Sequence, residues 1–181
     1  MKAYIEKLET EGYCKIPRIY SQEEVKKALD LVLEWQVRTE DAQSANVPFL
    51  NRDHPLVYNL QNKDIYFLEL IFSKPIIQEI LMYFLNDKWF KQILSQYPNY
   101  ILRSYLGRSS NDGLPMHIDS FIPYKGAHPL AMQVAIILED QNQQNGCTVL
   151  IPGSHKSGEY ANQEVFEKAI PLESKSGDVV I

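Results

Sequence analysis

Two side chains of the types that bind metal ions, His117 and Asp119, are separated by a single residue. On an extended strand, side chains two positions apart point to the same face, so we expect the imidazole and the carboxylate to lie together. They would form two thirds of a 2-His-1-carboxylate Fe(II) site, which leaves coordination positions open. With four histidines and nine aspartates in 181 residues, about 0.2 such spacings arise by chance. The pair is therefore a hypothesis that its neighbours must support.

The composition is that of an ordinary globular protein, with 45% hydrophobic and 23% charged residues. Its length suits one domain with a sizeable core. The net charge of −5 comes without a basic block, which argues against nucleic-acid binding. The most apolar window, residues 65–85, is interrupted by charged residues and proline, so we expect no membrane span. No signal peptide is visible, and we expect a cytoplasmic protein in which Cys14 and Cys147 are free thiols.

Helical signals dominate residues 1–97. Gly12 is a plausible helix stop, and Ser21 with Glu24 forms a capping-box pattern. Pro75 suits the first turn of a further helix. The predicted helices cover residues 2–11, 21–38, 62–72 and 75–85. Residues 39–55 are polar and irregular and predict a loop, in which His54 carries no indicated function.

Short strands and turns replace the helices after Pro98. The predicted strands cover residues 99–106, 131–138, 147–151, 170–173 and 177–181, with a short helix over 162–169. The run 131–138 is apolar except for Gln133, which fits a strand buried on both faces. Helices followed by short strands indicate an α+β fold whose second half is a jelly roll. We therefore expect one domain over residues 1–181, with a helical part (1–97) and a jelly-roll part (98–181).

The motifs of the second half follow one another in a distinctive order. Met116-His117-Ile118-Asp119 precedes the apolar run 131–138, and then come Asn145-Gly146, Pro152-Gly153-Ser154-His155 and Gly177-Asp178-Val179-Val180. This series resembles the phytanoyl-CoA dioxygenase family of Fe(II)/2-oxoglutarate oxygenases. The likeness is specific over residues 99–181, whereas the helical half is compatible but less diagnostic.

The resemblance implies a double-stranded β-helix, a cupin-like jelly roll with iron at one mouth. It implies that His117 and Asp119 are the catalytic metal ligands, and that Ser104 and Gln133 line the 2-oxoglutarate pocket. The implied reaction uses O₂, decarboxylates 2-oxoglutarate to succinate and hydroxylates a small-molecule or acyl-type substrate. Related halogenating enzymes have a small residue in place of the metal carboxylate, so Asp119 favours hydroxylation.

Other polar residues have simpler interpretations. The Pro152–His155 sequence is typical of a turn, and the resemblance implies that His155 supports the site without binding iron. His128 is most simply a surface residue. An isolated Gln133 in an apolar run needs a hydrogen-bonding reason, and a satisfied core glutamine explains it as well as a pocket residue does.

The sequence departs from the family pattern at its end. In the family, the second iron histidine and the arginine that pairs with 2-oxoglutarate follow the Gly-Asp-Val-Val strand, whereas this sequence stops at Ile181. We expect a front portion of a longer protein, with the final strands missing and a sheet edge left unpaired. Two alternatives remain: a non-catalytic jelly-roll binding module or degenerate relative without the third metal ligand, and a cupin-like protein that uses another divalent metal.

Overall fold

The structure is a computed structural model that describes residues 1–43, 56–87, 89, 96–108, 115–120, 122–161 and 166–181. The fold is α+β, as predicted. Its helices are α1 (Lys2–Glu11), α2 (Gln22–Gln43), α3 (Ile65–Phe72) and α4 (Pro75–Leu85). Its strands are β1 (Lys15–Ile16), β2 (Leu56–Tyr58), β3 (Leu106–Arg108), β4 (Ala135–Ile136), β5 (Thr148–Leu150), β6 (Ile170–Leu172) and β7 (Val179–Val180). Short 3₁₀ turns lie at Leu60–Asn62 and Ser154–Lys156.

The helix boundaries follow the sequence signals closely. Gly12 ends α1 in the left-handed conformation, with φ of 80°, and its N–H donates to the Leu8 carbonyl. The capping box before α2 is formed in both directions: the Ser21 N–H donates to Glu24 Oε2 at 2.7 Å, and the Glu24 N–H donates to Ser21 Oγ at 3.2 Å. The predicted end of α2 was wrong, since the helix continues to Gln43. Residues 44–55, including His54, lie outside the described residues.

A three-stranded antiparallel sheet joins the two halves of the chain in the order β1-β7-β4. Val179 lies opposite Ile16 on one side and Ile136 on the other. Cys14 and Ile181 also exchange backbone hydrogen bonds, of 2.8 and 2.9 Å. Val179 and Val180 of the Gly-Asp-Val-Val motif therefore form a central strand with partners on both sides.

Two of the predicted strands are much shorter than the apolar runs suggested. The 99–106 prediction was wrong in its extent, because regular pairing there is limited to Leu106–Arg108. Within 131–138 only Ala135–Ile136 is a strand, and Gln133 is exposed. The described strands form one three-stranded and two two-stranded sheets, β2-β3 and β5-β6. The complete jelly roll therefore stays a prediction.

The main hydrophobic core lies between the helices and the β7 strand. Val179 and Ile80 are fully buried there. Cys14 is also fully buried, and burial raises the pKa of its thiol to about 11. Both cysteines are free and buried, as predicted. Across the described part of the chain, none of the helices is long and apolar enough to cross a membrane.

Shortening a core side chain should destabilise the protein far more than the same change at the surface. We expect Ile80→Ala to lower the free energy of unfolding by about 2–5 kcal/mol, because Ile80 is fully buried and its removal leaves a cavity. Ile65→Ala is the matched control: the side chain is 67% exposed, so the change should stay within about 0.5 kcal/mol. Urea titration followed by circular dichroism measures both, and equal losses would contradict the assignment of the core.

Candidate iron site

The structure brings His117 and Asp119 together, although not by the predicted route. Residues 115–120 form no strand, and Asp119 begins a turn. Pro115 lacks an N–H and so cannot donate to a strand ladder at that position. The turn nevertheless places His117 Nε2 at 3.3 Å from Asp119 Oδ1. The expected closeness of the two groups is present, but the strand that was expected to produce it is not.

The hydrogen bonding of His117 defines which of its nitrogens is free. Its Nδ1 lies 2.7 Å from the Pro115 carbonyl oxygen. A carbonyl oxygen can only accept, so Nδ1 carries the proton and donates it. In the neutral ring, Nε2 is then an acceptor facing the acceptor oxygen of Asp119. A cation between the two atoms, either a proton or a metal ion, removes the repulsion between their lone pairs.

The geometry of the pair suits a shared metal ion. Two donor atoms about 2.1 Å from one ion and about 90° apart are separated by about 3.0 Å, close to the observed 3.3 Å. The side chains are 47% and 57% exposed, so an ion can reach them. Within the described ranges, no group of three His, Cys, Asp or Glu side chains is placed to hold a metal. His117 and Asp119 thus fit two positions of an iron site, and the donor set is a nitrogen and a carboxylate oxygen.

An open cavity of about 200 Å³ adjoins His117. Met116, Ile118, Tyr160 and Ala161 complete its lining. Sequence reasoning did not find Tyr160 and Ala161, because they follow the Pro-Gly-Ser-His turn without any spacing that marks a site. Tyr160 and Ala161 line the cavity only because the segment after the Pro-Gly-Ser-His turn folds back onto the Met116–Ile118 segment.

The two predicted 2-oxoglutarate residues lie elsewhere on the surface. Ser104 is exposed and precedes β3, and Gln133 is exposed and precedes β4. Neither is part of the lining described for the His117 cavity. Gln133 was predicted to sit within a buried strand, and its exposure removes that premise. Binding of 2-oxoglutarate by Ser104 and Gln133 stays a prediction.

The Pro152–His155 turn is attached to the end of helix α1. The Gly153 N–H donates to the Glu11 carbonyl at 2.7 Å, satisfying a carbonyl in the last turn of the helix. The His155 ring lies so close to Gly12 that a Cβ there would be 2.3 Å from Nδ1. Gly12 is therefore required both for its left-handed backbone and for this contact. The turn links the helical half to the strand half, which is a supporting role for His155.

The remaining motifs also organise backbone. Asp178 is buried, and its two carboxylate oxygens accept the N–H groups of Arg18 and Lys175, both at 2.9 Å. Asn145 closes the turn before β5, because its amide nitrogen donates to the Asp140 carbonyl at 2.8 Å. Gly146 follows it with φ of 88°. Asp178 and Asn145 thus hold turns in place.

The fold is shared with proteins whose structures contain a metal ion and 2-oxoglutarate. The epimerase SnoN, solved with Fe³⁺, α-ketoglutarate and nogalamycin RO, superposes with a TM-score of 0.61 at 14% identity, over 99% of this chain and 72% of SnoN. HygX from Streptomyces hygroscopicus, solved with nickel and 2-oxoglutarate, gives 0.59 at 16% identity, over 99% of this chain and 76% of HygX. At these identities the likeness concerns the fold alone.

Sequence comparison defines the family. The phytanoyl-CoA dioxygenase (PhyH) model matches residues 8–181, and the chain belongs to that family. A curated relative, dioxygenase af480 of Aspergillus fumigatus, is 24% identical over 96% of this chain. The chain spans 56% of the length of that relative. The predicted family is confirmed, and with it the family's use of Fe(II) and 2-oxoglutarate.

The attachment of the turn to α1 should weaken in acid. Burial against the helix lowers the pKa of His155; a hydrogen bond with the Glu9 backbone opposes this shift, and nearby Lys156 reinforces it. The pKa of a histidine in the unfolded chain is about 6.5. Because the pKa of His155 is lower than this in the folded protein, its stabilising contribution is fully present above about pH 6.5. The contribution is lost as the pH falls from there towards the folded-state pKa. We expect His155→Gln to flatten the fall in melting temperature between about pH 7.5 and 5.

The matched control is His128→Gln, since His128 is exposed. This variant should keep the pH dependence of the wild type. Thermal unfolding followed by circular dichroism across the same pH series makes the comparison. Parallel curves for wild type and His155→Gln would show that His155 does not couple the turn to α1.

Proposed function

We propose that the protein is an Fe(II)/2-oxoglutarate-dependent dioxygenase that hydroxylates a small-molecule or acyl-type substrate. One observation carries the proposal: His117 Nε2 lies 3.3 Å from Asp119 Oδ1, while the other ring nitrogen, Nδ1, lies 2.7 Å from the Pro115 carbonyl oxygen. Membership of the phytanoyl-CoA dioxygenase family supports iron over another divalent metal in this position. Ligand type alone would also admit other metals.

Each residue has a defined part in this proposal. His117 and Asp119 hold the iron, and the Pro115 carbonyl fixes the His117 ring and its tautomer. When bound, iron and 2-oxoglutarate supply the oxidising chemistry, in which one atom of O₂ enters succinate and the other enters the substrate. Ser104 and Gln133 are proposed to contact 2-oxoglutarate.

Hydroxylation is favoured among the reactions open to such a site. SnoN is described as an epimerase, so the fold by itself does not select hydroxylation. Asp119 fills the coordination position that halogenating relatives leave open for chloride, which argues against halogenation. The structures named above were solved with nogalamycin RO and with nickel and 2-oxoglutarate, and a further HygX structure contains hygromycin B. Such ligands support a small-molecule substrate here.

A second function deserves testing because of one specific observation. No third metal-binding side chain joins the pair within the part of the chain that the structure describes. A degenerate relative that binds a ligand without turning it over would also have this arrangement. The two functions differ in a single measurable property, which is the release of succinate from 2-oxoglutarate.

Removing either metal ligand should abolish turnover by the full-length protein. With Fe(II), 2-oxoglutarate and O₂, we expect His117→Ala and Asp119→Ala each to reduce succinate release at least about 100-fold, because the iron loses a protein ligand. His128→Ala is the matched control, since it removes an exposed imidazole that is outside the described lining of the His117 cavity. Mass spectrometry of succinate provides the measurement.

The pattern of results separates the two functions. Turnover that survives both ligand variants would refute the iron assignment to His117 and Asp119. An absence of 2-oxoglutarate-dependent succinate in the wild type, together with retained binding of 2-oxoglutarate in calorimetry, would establish the binding module instead.

A further inference from the structure

Tyr160 faces the candidate iron site from a separate part of the chain. It lines the cavity that also contains His117, and its side chain is 61% exposed. Met116, Ile118 and Ala161 give the rest of the cavity an apolar lining. An exposed aromatic ring that lines a mostly apolar cavity together with His117, one of the two metal-binding side chains, has the character of a ligand-binding wall.

The segment that leads to Tyr160 is held at two places, both of which precede Tyr160 in the sequence. On its upstream side, Gly153 and His155 attach to the end of α1. Closer to Tyr160, Gly158 has φ of 60°, and the stem of Lys125 packs directly on it. A Cβ at Gly158 would lie 2.0 Å from Lys125 Cγ, so the Lys125 side chain lies directly against the Gly158 backbone. Tyr160 is therefore presented by an anchored segment, although its own ring remains open to solvent.

We propose that Tyr160 determines substrate specificity, by packing its ring against a planar apolar portion of the substrate beside His117. The inference rests on the proposed function, which supplies the metal at His117. The position of Tyr160 in the cavity lining does not depend on that metal. Aromatic pairs prefer offset or edge contacts and gain stability beyond the area that they bury. A planar group lying on Tyr160 would also cover Met116 and Ile118. Burial of their apolar surface would add to the free energy of binding.

Methionine methyl groups offer a direct readout of this cavity. The chain contains four methionines, and Met116 is in the lining. We would label the full chain with [¹³C-methyl]methionine, assign Met116 through Met116→Leu, and titrate with 2-naphthol as the planar probe. We expect an upfield ring-current shift at Met116 and none at Met1, Met82 or Met132.

Variants of Tyr160 then test the wall itself. Tyr160→Ala should weaken naphthol binding about fivefold, whereas Tyr160→Phe should retain it, since the ring provides the contact. Tyr97→Ala is the matched control, because Tyr97 is 57% exposed and outside the described lining of the cavity. Binding by Tyr160→Ala equal to that of the wild type, or a shift at another methionine instead of Met116, would overturn the inference.

A metal titration on the same sample keeps the two proposals distinguishable. Mn(II) should broaden the Met116 methyl signal in the wild type and in Tyr160→Ala, but not in the double variant His117→Ala/Asp119→Ala. If naphthol produces no shift at Met116 in the wild type, while Mn(II) still broadens that signal, the Tyr160 wall alone is refuted. The reverse result refutes the metal site and leaves the wall in place.

Discussion

The pairing of β7 with both β1 and β4 is the constraint on which the rest of the structure depends. Strand β1 follows the first helix, and β7 is formed by residues far from it in sequence, yet Ile16 and Val179 lie opposite one another. Ordering such distant segments costs loop-closure entropy that local contacts cannot offset. Burial of Val179 in the helical core and the buried Asp178 carboxylate provide the compensation. Strand β7 thus connects the helical core with both β1 and β4.

The parts of the fold that the sequence predicted are those set by local chemistry. Gly12 ends α1 because glycine adopts the left-handed backbone without the steric cost of a Cβ, and the Ser21–Glu24 box fixes the start of α2. The extent of the strands was not predictable in this way. An apolar run such as 131–138 becomes strand only where a partner is present, and β7 pairs with Ala135 and Ile136 alone. Strand length is a property of the partner as much as of the run.

At the candidate site too, features set by local sequence were predictable, whereas features set by distant contacts were not. The spacing of His117 and Asp119 correctly predicted two adjacent side chains, but for the wrong reason, because a turn brings them together. The two side chains are close in the turn as they would be in a strand, because residues separated by one position can make contact in several backbone conformations. Tyr160 could not be found from spacing, as its approach to His117 depends on the anchoring of the intervening turn to α1.

This division explains why the chemistry of the protein is easier to recognise than its substrate. The motifs that identify the family occupy positions with strict backbone requirements: Gly153 hydrogen-bonds to α1, Asn145 closes a turn, and Asp178 binds two backbone N–H groups. Few residue types satisfy such requirements, so these positions give a distinctive pattern. An exposed ring such as Tyr160 meets no such requirement from the fold. Its identity is free to follow the ligand, and a wall of this kind is where enzymes that share iron chemistry would differ in what they bind.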